Sequence, residues 1–461
     1  MTIAPPLSLW AHARATLALG LPLIGSNLAQ MALHVVDTVM LGWYGVAELA
    51  AVVLGASAFF IIFILGSGFA QAVMPMVAQA LGRGDEPRVR RDTRMGLWLS
   101  IAFGILTYPV FWWSGPILLG LGQSPDIAAL AQDYMRIAGL GMVPALLVMT
   151  LKSYLSGLER TQMLLWTTLA GVVLNAGVNW VLIFGNLGAP ELGLRGAAIA
   201  SVIVQVLGFA VLGLYAHLLP ALHRFALFQR FWRPDWPALL QVFRLGWPIG
   251  LTGLAEASLF QASALMMGWI GTVELAAHGI AIEVAGLAFM VHMGLANAAT
   301  IRIGRAAGSD NPRALRDTAR AALVLSWMVS AVVILLFLIL PHQIVALFLD
   351  LSDPQAARII ALGSLLLAVA ALFQLADAMQ AMALGFLRGV QDTRVPMWLA
   401  SISYWLVGIP TSYFLAFPLG YGGVGLWFGL TIGLTVAAGL LMTRFWRRAP
   451  RPERDLPTPT T

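Results

Sequence analysis

The segment LGLPLIGSNLAQMALHVVDTVMLGWYGVAELAA occupies residues 19–51, and LGWPIGLTGLAEASLFQASALMMGWIGTVELAA occupies residues 245–277. The two segments align without gaps at a constant offset of 226 residues, and they share LG-x-P near the start and GW and ELAA near the end. A repeat of this length predicts a chain built from two similar halves. Each copy also contains an apolar run long enough to cross a hydrocarbon core of about 30 Å as a helix.

The composition of the whole chain extends this interpretation. Of 461 residues, 59% are hydrophobic and only 10% are charged, whereas a soluble domain carries roughly a quarter charged residues. There is no cysteine, which excludes disulfides, zinc–thiolate sites and thiol catalysis. The first residues, MTIAPPLSLWAHAR, lack a basic start and a small-residue cleavage site, so we expect no removable signal peptide. The sequence therefore predicts an all-α integral membrane protein.

The apolar runs predict twelve transmembrane helices. Their expected ranges are 15–42, 47–78, 95–120, 130–155, 163–187, 194–219, 241–270, 275–301, 320–348, 358–386, 395–417 and 420–445. An offset of 226 residues spans six of these helices, an even number, so both copies have the same orientation in the bilayer. Parallel six-helix lobes predict a pseudo-two-fold axis along the membrane normal, with a substrate path between the lobes.

The basic residues predict the topology. All but three of the 27 Lys and Arg residues fall on one side of this scheme, and the exceptions are Arg136, Arg195 and Arg358. By the positive-inside rule both termini are expected in the cytoplasm. Nucleic-acid binding is not expected, since no loop is long enough to form a basic domain.

The repeat and the composition together predict the domain boundaries. Residues 1–220 form an N-terminal lobe, 221–240 a cytoplasmic interlobe linker, 241–446 a C-terminal lobe and 447–461 a Pro-rich, disordered cytoplasmic tail. The linker is rich in Trp and Arg, which is typical of a segment that lies on a membrane surface.

Four carboxylates lie inside predicted helices, namely Asp37, Glu256, Glu283 and Asp377. A charge at bilayer depth costs at least a few kcal/mol, so such a residue faces a cavity, has a partner or is protonated. No Lys or Arg is expected at a comparable depth. We therefore expect these acids to bind a mobile cation or a proton, and a protonated structural acid is the alternative.

Neutral polar residues accompany the acids. Asn27, Gln30, His34 and Asp37 recur every three or four residues and form one polar stripe on the first helix. Asn175 and Asn179 share a face of the fifth helix, and Ala197 and Ser201 share a face of the sixth. In the second half, Gln261 and Gln374 lie near the acids. Hard cations prefer oxygen ligands, so these residues are candidate sodium ligands or cavity-lining groups; interhelical hydrogen bonding is the alternative.

The ordered combination of VDTVMLG, Pro22, LNAGVNW, the six-plus-six duplication and the late L-G-x-x-G turns resembles the multidrug and toxic compound extrusion (MATE) transporters. The resemblance is closest to the NorM-like branch. It implies a monomeric antiporter, embedded in the lipid of the inner membrane, that expels cationic, amphipathic drugs in exchange for sodium ions or protons, without a cofactor. It also implies a first-lobe cation site at Asp37, Asn175, Asn179, Ala197 and Ser201, and a second-lobe site at Glu256 and Asp377.

Two positions depart from the NorM-like pattern. Phe373 stands where a Tyr is common, which removes a hydroxyl ligand, and Glu283 stands where an Asn is common, which adds a titratable group to the second-lobe site. Sodium and proton coupling both stay open. A lipid-linked precursor flippase of the same superfamily is the alternative function, although the predicted acids and the absence of deep cations disfavour a pyrophosphate ligand. A membrane enzyme is disfavoured because no metal-ligand cluster or nucleophile–base pair is evident.

Overall fold

A computed structural model describes residues 8–450, and within these residues the chain is helical with no β-strand. In this part of the chain, twelve helices are long and apolar enough to cross a membrane, which confirms the predicted all-α class with twelve spans. They are α1 Leu9–Tyr44, α2 Ala47–Arg83, α3 Glu86–Trp112, α4 Pro125–Gly157, α5 Thr161–Phe184, α6 Leu194–Leu218, α7 Trp236–Ile270, α8 Thr272–Gly308, α9 Pro312–Ile339, α10 Ala356–Gly389, α11 Arg394–Ala416 and α12 Gly422–Arg448. Short helices lie between them at Ser114–Gly120, Pro220–His223 and Pro341–Ala346.

Helices α3 and α9 begin eight or nine residues earlier than their apolar runs predict. The Asp85 side chain accepts a hydrogen bond of 3.1 Å from the backbone N–H of Arg88, and the Asn311 side chain accepts one of 2.9 Å from Ala314. A proline follows each cap within the first turn. Asp and Asn satisfy the free N–H groups of a first helical turn, and Pro fits there because its missing N–H is not needed. Each helix therefore begins at its capping residue and extends through charged residues that precede the apolar run.

The chain divides into two compact units, and each unit includes the first part of a helix whose remainder belongs to the other unit. The N-unit contains residues 25–251, and the C-unit contains residues 8–24 and 252–450 of the described chain. The first part of α1 thus belongs to the C-unit, and the interlobe segment with the first part of α7 belongs to the N-unit. Position in the sequence alone suggests a division between residues 220 and 241. The predicted tail lies almost entirely outside the described residues, and α12 continues to Arg448.

Each unit contains a close helix–helix contact at a glycine, and the two contacts occupy equivalent positions of the repeat. In the N-unit a Cβ at Gly68 would lie 2.4 Å from the backbone nitrogen of Gly250. In the C-unit a Cβ at Gly294 would lie 2.8 Å from the backbone nitrogen of Ile24. Both pairs are related by the 226-residue offset. In each unit the exchanged helix segment therefore packs backbone to backbone against the helix of that unit, a contact that only small residues permit.

Gly68→Ala is expected to destabilise the protein, because the new methyl group meets backbone atoms of α7 that cannot rotate away. Overpacking of this kind typically costs about 1–3 kcal/mol. The measurement is the thermal midpoint of the purified protein in detergent. Gly177→Ala is the matched control, since nothing lies within 4 Å of a Cβ at Gly177, and Ala is favoured over Gly in a helix by about 1 kcal/mol. Equal midpoints for the two variants would contradict the close α2–α7 contact.

The interlobe segment, residues 221–235, forms hydrogen bonds and an ion pair with α3. Arg94 Nη1 donates to the carbonyl oxygens of Gln229 and Arg230 at 2.9 and 3.0 Å, and Trp98 Nε1 donates to that of Phe231 at 3.0 Å. Arg91 forms a bidentate ion pair with Asp235. The guanidinium lowers the pKa of the Asp235 carboxyl, so this pair is fully charged at neutral pH and is lost only under strong acid.

Candidate ion-binding sites

The polar residues of the N-unit meet at Asp37. Asn179 Nδ2 donates to Asp37 Oδ1 over 2.6 Å, and Ser201 Oγ donates to Asp37 Oδ2 over 3.3 Å. The same amide nitrogen of Asn179 also donates to Asn175 Oδ1 over 3.1 Å. Helices α1, α5 and α6 thus bring together residues that the sequence predicts as one site. Ala197 is buried one helical turn before Ser201.

Two polar atoms at this site have no partner. Asn175 and Asn179 are fully buried, and Asn175 Nδ2 and Asn179 Oδ1 form no hydrogen bond within the described chain. A buried unsatisfied group costs about 1–3 kcal/mol, and a free amide oxygen beside a carboxylate and a hydroxyl is the oxygen set that a hard cation uses. Residues 8–450 contain no cluster of three or more His, Cys, Asp or Glu that could hold a metal ion. A cation here would therefore be held by one carboxylate and neutral oxygens.

The rest of the polar stripe is more open. His34 has an exposed side chain one turn before Asp37, and Asn27 and Gln30 are half-buried. Tyr134 of α4, which the sequence does not single out, is 8% exposed and interacts electrostatically with Asp37. No sequence motif marks Tyr134, because its proximity to Asp37 arises only from the packing of α4.

Lys152, the one lysine in the sequence, lies near the end of the fourth predicted helix, and in the structure it belongs to α4, which continues to Gly157. Its Nζ donates to Thr168 Oγ1 over 3.0 Å and to Gln30 Oε1 over 3.4 Å. Within residues 8–450 it forms no ion pair with a carboxylate. The polar stripe on α1 therefore contacts the ammonium group of Lys152 at Gln30 and carries its own carboxylate at Asp37.

In the C-unit, α7 and α10 bring two acids together. Gln380 Nε2 donates to Glu256 Oε1 over 2.8 Å. Asp377, one turn from Gln380 on α10, is 2% exposed, and its Oδ1 has no partner within the described chain. Glu256 and Asp377 also interact electrostatically. Gln374 lies one turn before Asp377 on α10 and is fully buried. Both polar atoms of its side chain are unpartnered in residues 8–450.

Two further side chains complete this cluster. Arg388, near the end of α10, interacts electrostatically with Glu256, a neighbour that the sequence does not predict for the acids. Tyr404 is fully buried and interacts electrostatically with both acids, and its hydroxyl has no partner in the described residues. It lies in a π-helical segment of α11, Ser403–Gly408, and such segments are frequent at functional sites.

The residues that depart from the NorM-like pattern lie in different surroundings. Phe373 is 2% exposed and packs edge-on against Trp427 and Phe260, with ring centroids 5.3 and 6.1 Å apart. Glu283 and Gln261 have exposed side chains and form no hydrogen bond to Glu256 or Asp377. The C-unit cluster therefore consists of six residues, of which Asp377, Gln374, Gln380 and Tyr404 are buried and Glu256 and Arg388 are half-buried.

The C-unit position equivalent to Asp37 is occupied by a neutral network. Ser263 Oγ lies 3.3 Å from His278 Nε2, and Trp427 Nε1 donates to His278 Nδ1 over 3.1 Å. His292 similarly contacts Ser326 and Ser330 at 3.1 and 3.4 Å. Both histidines serve as interhelical hydrogen-bonding groups, and the two units place their acids at non-equivalent positions.

Twelve membrane-crossing helices in two repeated halves, with Asp37 among amide and hydroxyl groups in one half and Glu256 and Asp377 in the other, are typical of a membrane transport protein. The MatE family model matches residues 22–181 and 248–414, and the chain belongs to this family of transporters.

Relatives and solved structures agree with this assignment. A probable multidrug resistance protein NorM of Rhizobium meliloti is 51% identical over 95% of this chain and 93% of its own length. The corresponding protein of Agrobacterium fabrum is 45% identical over 95% and 94%. A crystal structure of MATE in complex with MaL6 has a TM-score of 0.86 at 20% identity, over 95% of this chain and 96% of that one. An outward-facing multidrug resistance MATE transporter has a TM-score of 0.83 at 20% identity, with 95% and 96% covered.

Proposed function

We propose that the protein is a multidrug efflux antiporter of the bacterial inner membrane, which exports cationic amphipathic compounds in exchange for sodium ions or protons. We propose further that it acts as a monomer with both termini in the cytoplasm. The observation that carries the proposal is the N-unit site, where Asn179 and Ser201 hold Asp37 beside the unpartnered Asn179 oxygen. The relatives at 51% and 45% identity are named as multidrug resistance proteins.

Coupling requires that the ion bind one conformation better than another, since equal affinity shifts no equilibrium. The helices that carry the acids suit this requirement. Helix α1 contributes residues to the C-unit up to Ile24 and carries Asp37 in the N-unit, and α7 contributes to the N-unit up to Leu251 and carries Glu256 in the C-unit. Under alternating access, an ion bound at Asp37 changes the preferred packing of α1, with Pro22 as the point of bending.

The charge of the C-unit cluster supports a cationic substrate. Glu256 and Asp377 carry two carboxylates against the single guanidinium of Arg388. An organic cation or a coupling ion that enters this cluster balances the remaining charge. Exposed Glu283 adds a further acid to the same helical bundle.

Reconstitution into liposomes tests the function and the coupling ion together. Proton and sodium gradients are imposed separately, and movement of a fluorescent organic cation is recorded. We expect accelerated efflux with at least one gradient and none in protein-free liposomes. Acceleration by sodium at equal internal and external pH assigns sodium, and acceleration by a pH difference without sodium assigns protons. Absence of cation movement under both gradients would contradict the proposal.

A lipid-linked precursor flippase is the second candidate, and Lys152 is the observation that favours it. Its ammonium forms hydrogen bonds only to neutral oxygens within the described chain, so its positive charge is available to bind an anionic ligand such as a pyrophosphate. The acids of both units favour efflux of cations instead. The same liposomes separate the two candidates, because a flippase would leave the fluorescent cation in place under every gradient.

A further inference from the structure

A cavity of about 390 Å³ lies in the N-unit where three helices end. Its walls come from the last turn of α2, from the connection between α4 and α5, and from the interlobe segment that follows α6. The lining includes Arg160, Pro220, Ala221, Leu222, Arg224 and Phe225. Because successive membrane helices alternate in direction, the ends of α2, α4 and α6 lie at one face of the membrane.

The cavity combines an apolar floor with two guanidinium groups. Phe225 and Leu222 are 1% and 4% exposed. Arg224 stacks on the Phe225 ring at 4.8 Å and pairs with Glu86 at 3.3 Å. The guanidinium of Arg160 forms neither an ion pair nor a hydrogen bond with any residue in 8–450, and no acidic side chain lines the cavity. Arg224 is thus paired with an acid, whereas Arg160 gives the cavity one uncompensated positive charge above buried apolar surface.

The surroundings of the cavity are typical of the membrane–water interface. Trp232 and Trp236, further along the interlobe connection, are 74% and 67% exposed. Exposed Trp side chains favour the headgroup level of a bilayer, and basic residues at that level attract anionic lipids. The tethering of this segment to α3 by Arg94 and Trp98 holds the cavity wall in place.

We propose that this cavity binds the headgroup of an anionic phospholipid, whose phosphate pairs with Arg160 and Arg224 while its glycerol and first acyl carbons contact Phe225, Leu222 and Pro220. A lipid fits better than free phosphate because six of the eight residues that line the cavity are apolar and the neighbouring side chains are interfacial. A bound headgroup would join α2, the α4–α5 connection and the interlobe segment at one point. This site is separate from the acids at Asp37 and in the C-unit, and its binding does not depend on the transported substrate.

Native mass spectrometry of the full chain in detergent tests the site by titration with phosphatidylglycerol, phosphatidylcholine and inorganic phosphate. We expect saturable binding of phosphatidylglycerol, weak binding of phosphatidylcholine, and no competition from inorganic phosphate. Arg160→Gln is expected to weaken phosphatidylglycerol binding about fivefold, as for the loss of one basic residue near an anionic surface. Arg14→Gln removes the same charge from an exposed position outside the cavity and is expected to leave binding unchanged.

A second variant keeps the test independent of charge. Ala221→Trp fills the cavity from its exposed wall and is expected to abolish saturable binding. Leu347→Trp is the control, since it adds the same ring outside the cavity, at a position that is 83% exposed, and it is expected to leave binding unchanged. Hydrogen exchange should show slower exchange of residues 219–229 when phosphatidylglycerol is added to the native protein. Equal binding of the two lipids, equal effects of Arg160→Gln and Arg14→Gln, or displacement by inorganic phosphate would each overturn the lipid assignment.

Discussion

Asp37→Asn is expected to reduce gradient-driven efflux of an organic cation at least about tenfold, towards the rate of protein-free liposomes. The substitution keeps the shape of the side chain but removes the one carboxylate of the N-unit site, which accepts hydrogen bonds from Asn179 and Ser201. A contact to a charged group contributes about 1.5–3 kcal/mol, and 1.4 kcal/mol is a factor of ten in affinity. Under the proposed mechanism the coupling ion, sodium or proton, binds at this carboxylate, so we expect the same loss with either ion.

Asp133→Asn is the matched control for Asp37→Asn. Asp133 is also an N-unit aspartate, but it pairs with Arg195 at 2.7 Å and its side chain is 39% exposed, so the control is expected to transport within about twofold of the native protein. Both variants should elute as folded protein with similar thermal midpoints. Unimpaired efflux by folded Asp37→Asn at matched protein content would show that Asp37 is a structural acid only.

Asp377→Asn is expected to stop transport while the protein becomes no less stable. The carboxylate is 2% exposed and its Oδ1 is unpartnered within the described chain, and because burying a charge without a full set of partners is costly, a neutral amide of the same shape is not expected to lower stability. Functional sites commonly retain such destabilising groups. The measurement pairs cation-driven efflux with the thermal midpoint in detergent, and we expect a loss of efflux of about tenfold or more with an equal or higher midpoint.

Companion variants locate the effect within the C-unit cluster. Glu256→Gln should reproduce the loss of efflux, and Tyr404→Phe should weaken ion dependence more mildly, because it removes only an unpartnered hydroxyl. Asp317→Asn is the control, since Asp317 pairs with Arg313 and Arg320 at 3.9 and 3.3 Å outside the cluster. Efflux by Asp377→Asn equal to that of Asp317→Asn would exclude Asp377 from the transport cycle.

The agreement between sequence and structure at Asp37 has a simple physical basis. Residues three or four apart lie on one face of a helix, so the pairs Asn175 with Asn179 and Ala197 with Ser201 are recognisable from their spacing alone. The cost of a charge in a membrane then singles out Asp37, Glu256 and Asp377. Glu283 meets the same criteria in the sequence but has an exposed side chain, because periodicity within one helix does not reveal which face the neighbouring helices cover.

The sequence by itself determined the repeat, the twelve helices and the acids, since each depends on hydropathy or local periodicity along the chain. Only the tertiary structure decided that Lys152 contacts Gln30 and that Arg388 and Tyr404 accompany Glu256. It also decided that α1 and α7 each contribute to both units. These features depend on contacts between residues more than a hundred positions apart, such as the close backbone approach of Gly68 to Gly250 and of Gly294 to Ile24, and no local pattern in the sequence reveals which distant segments meet.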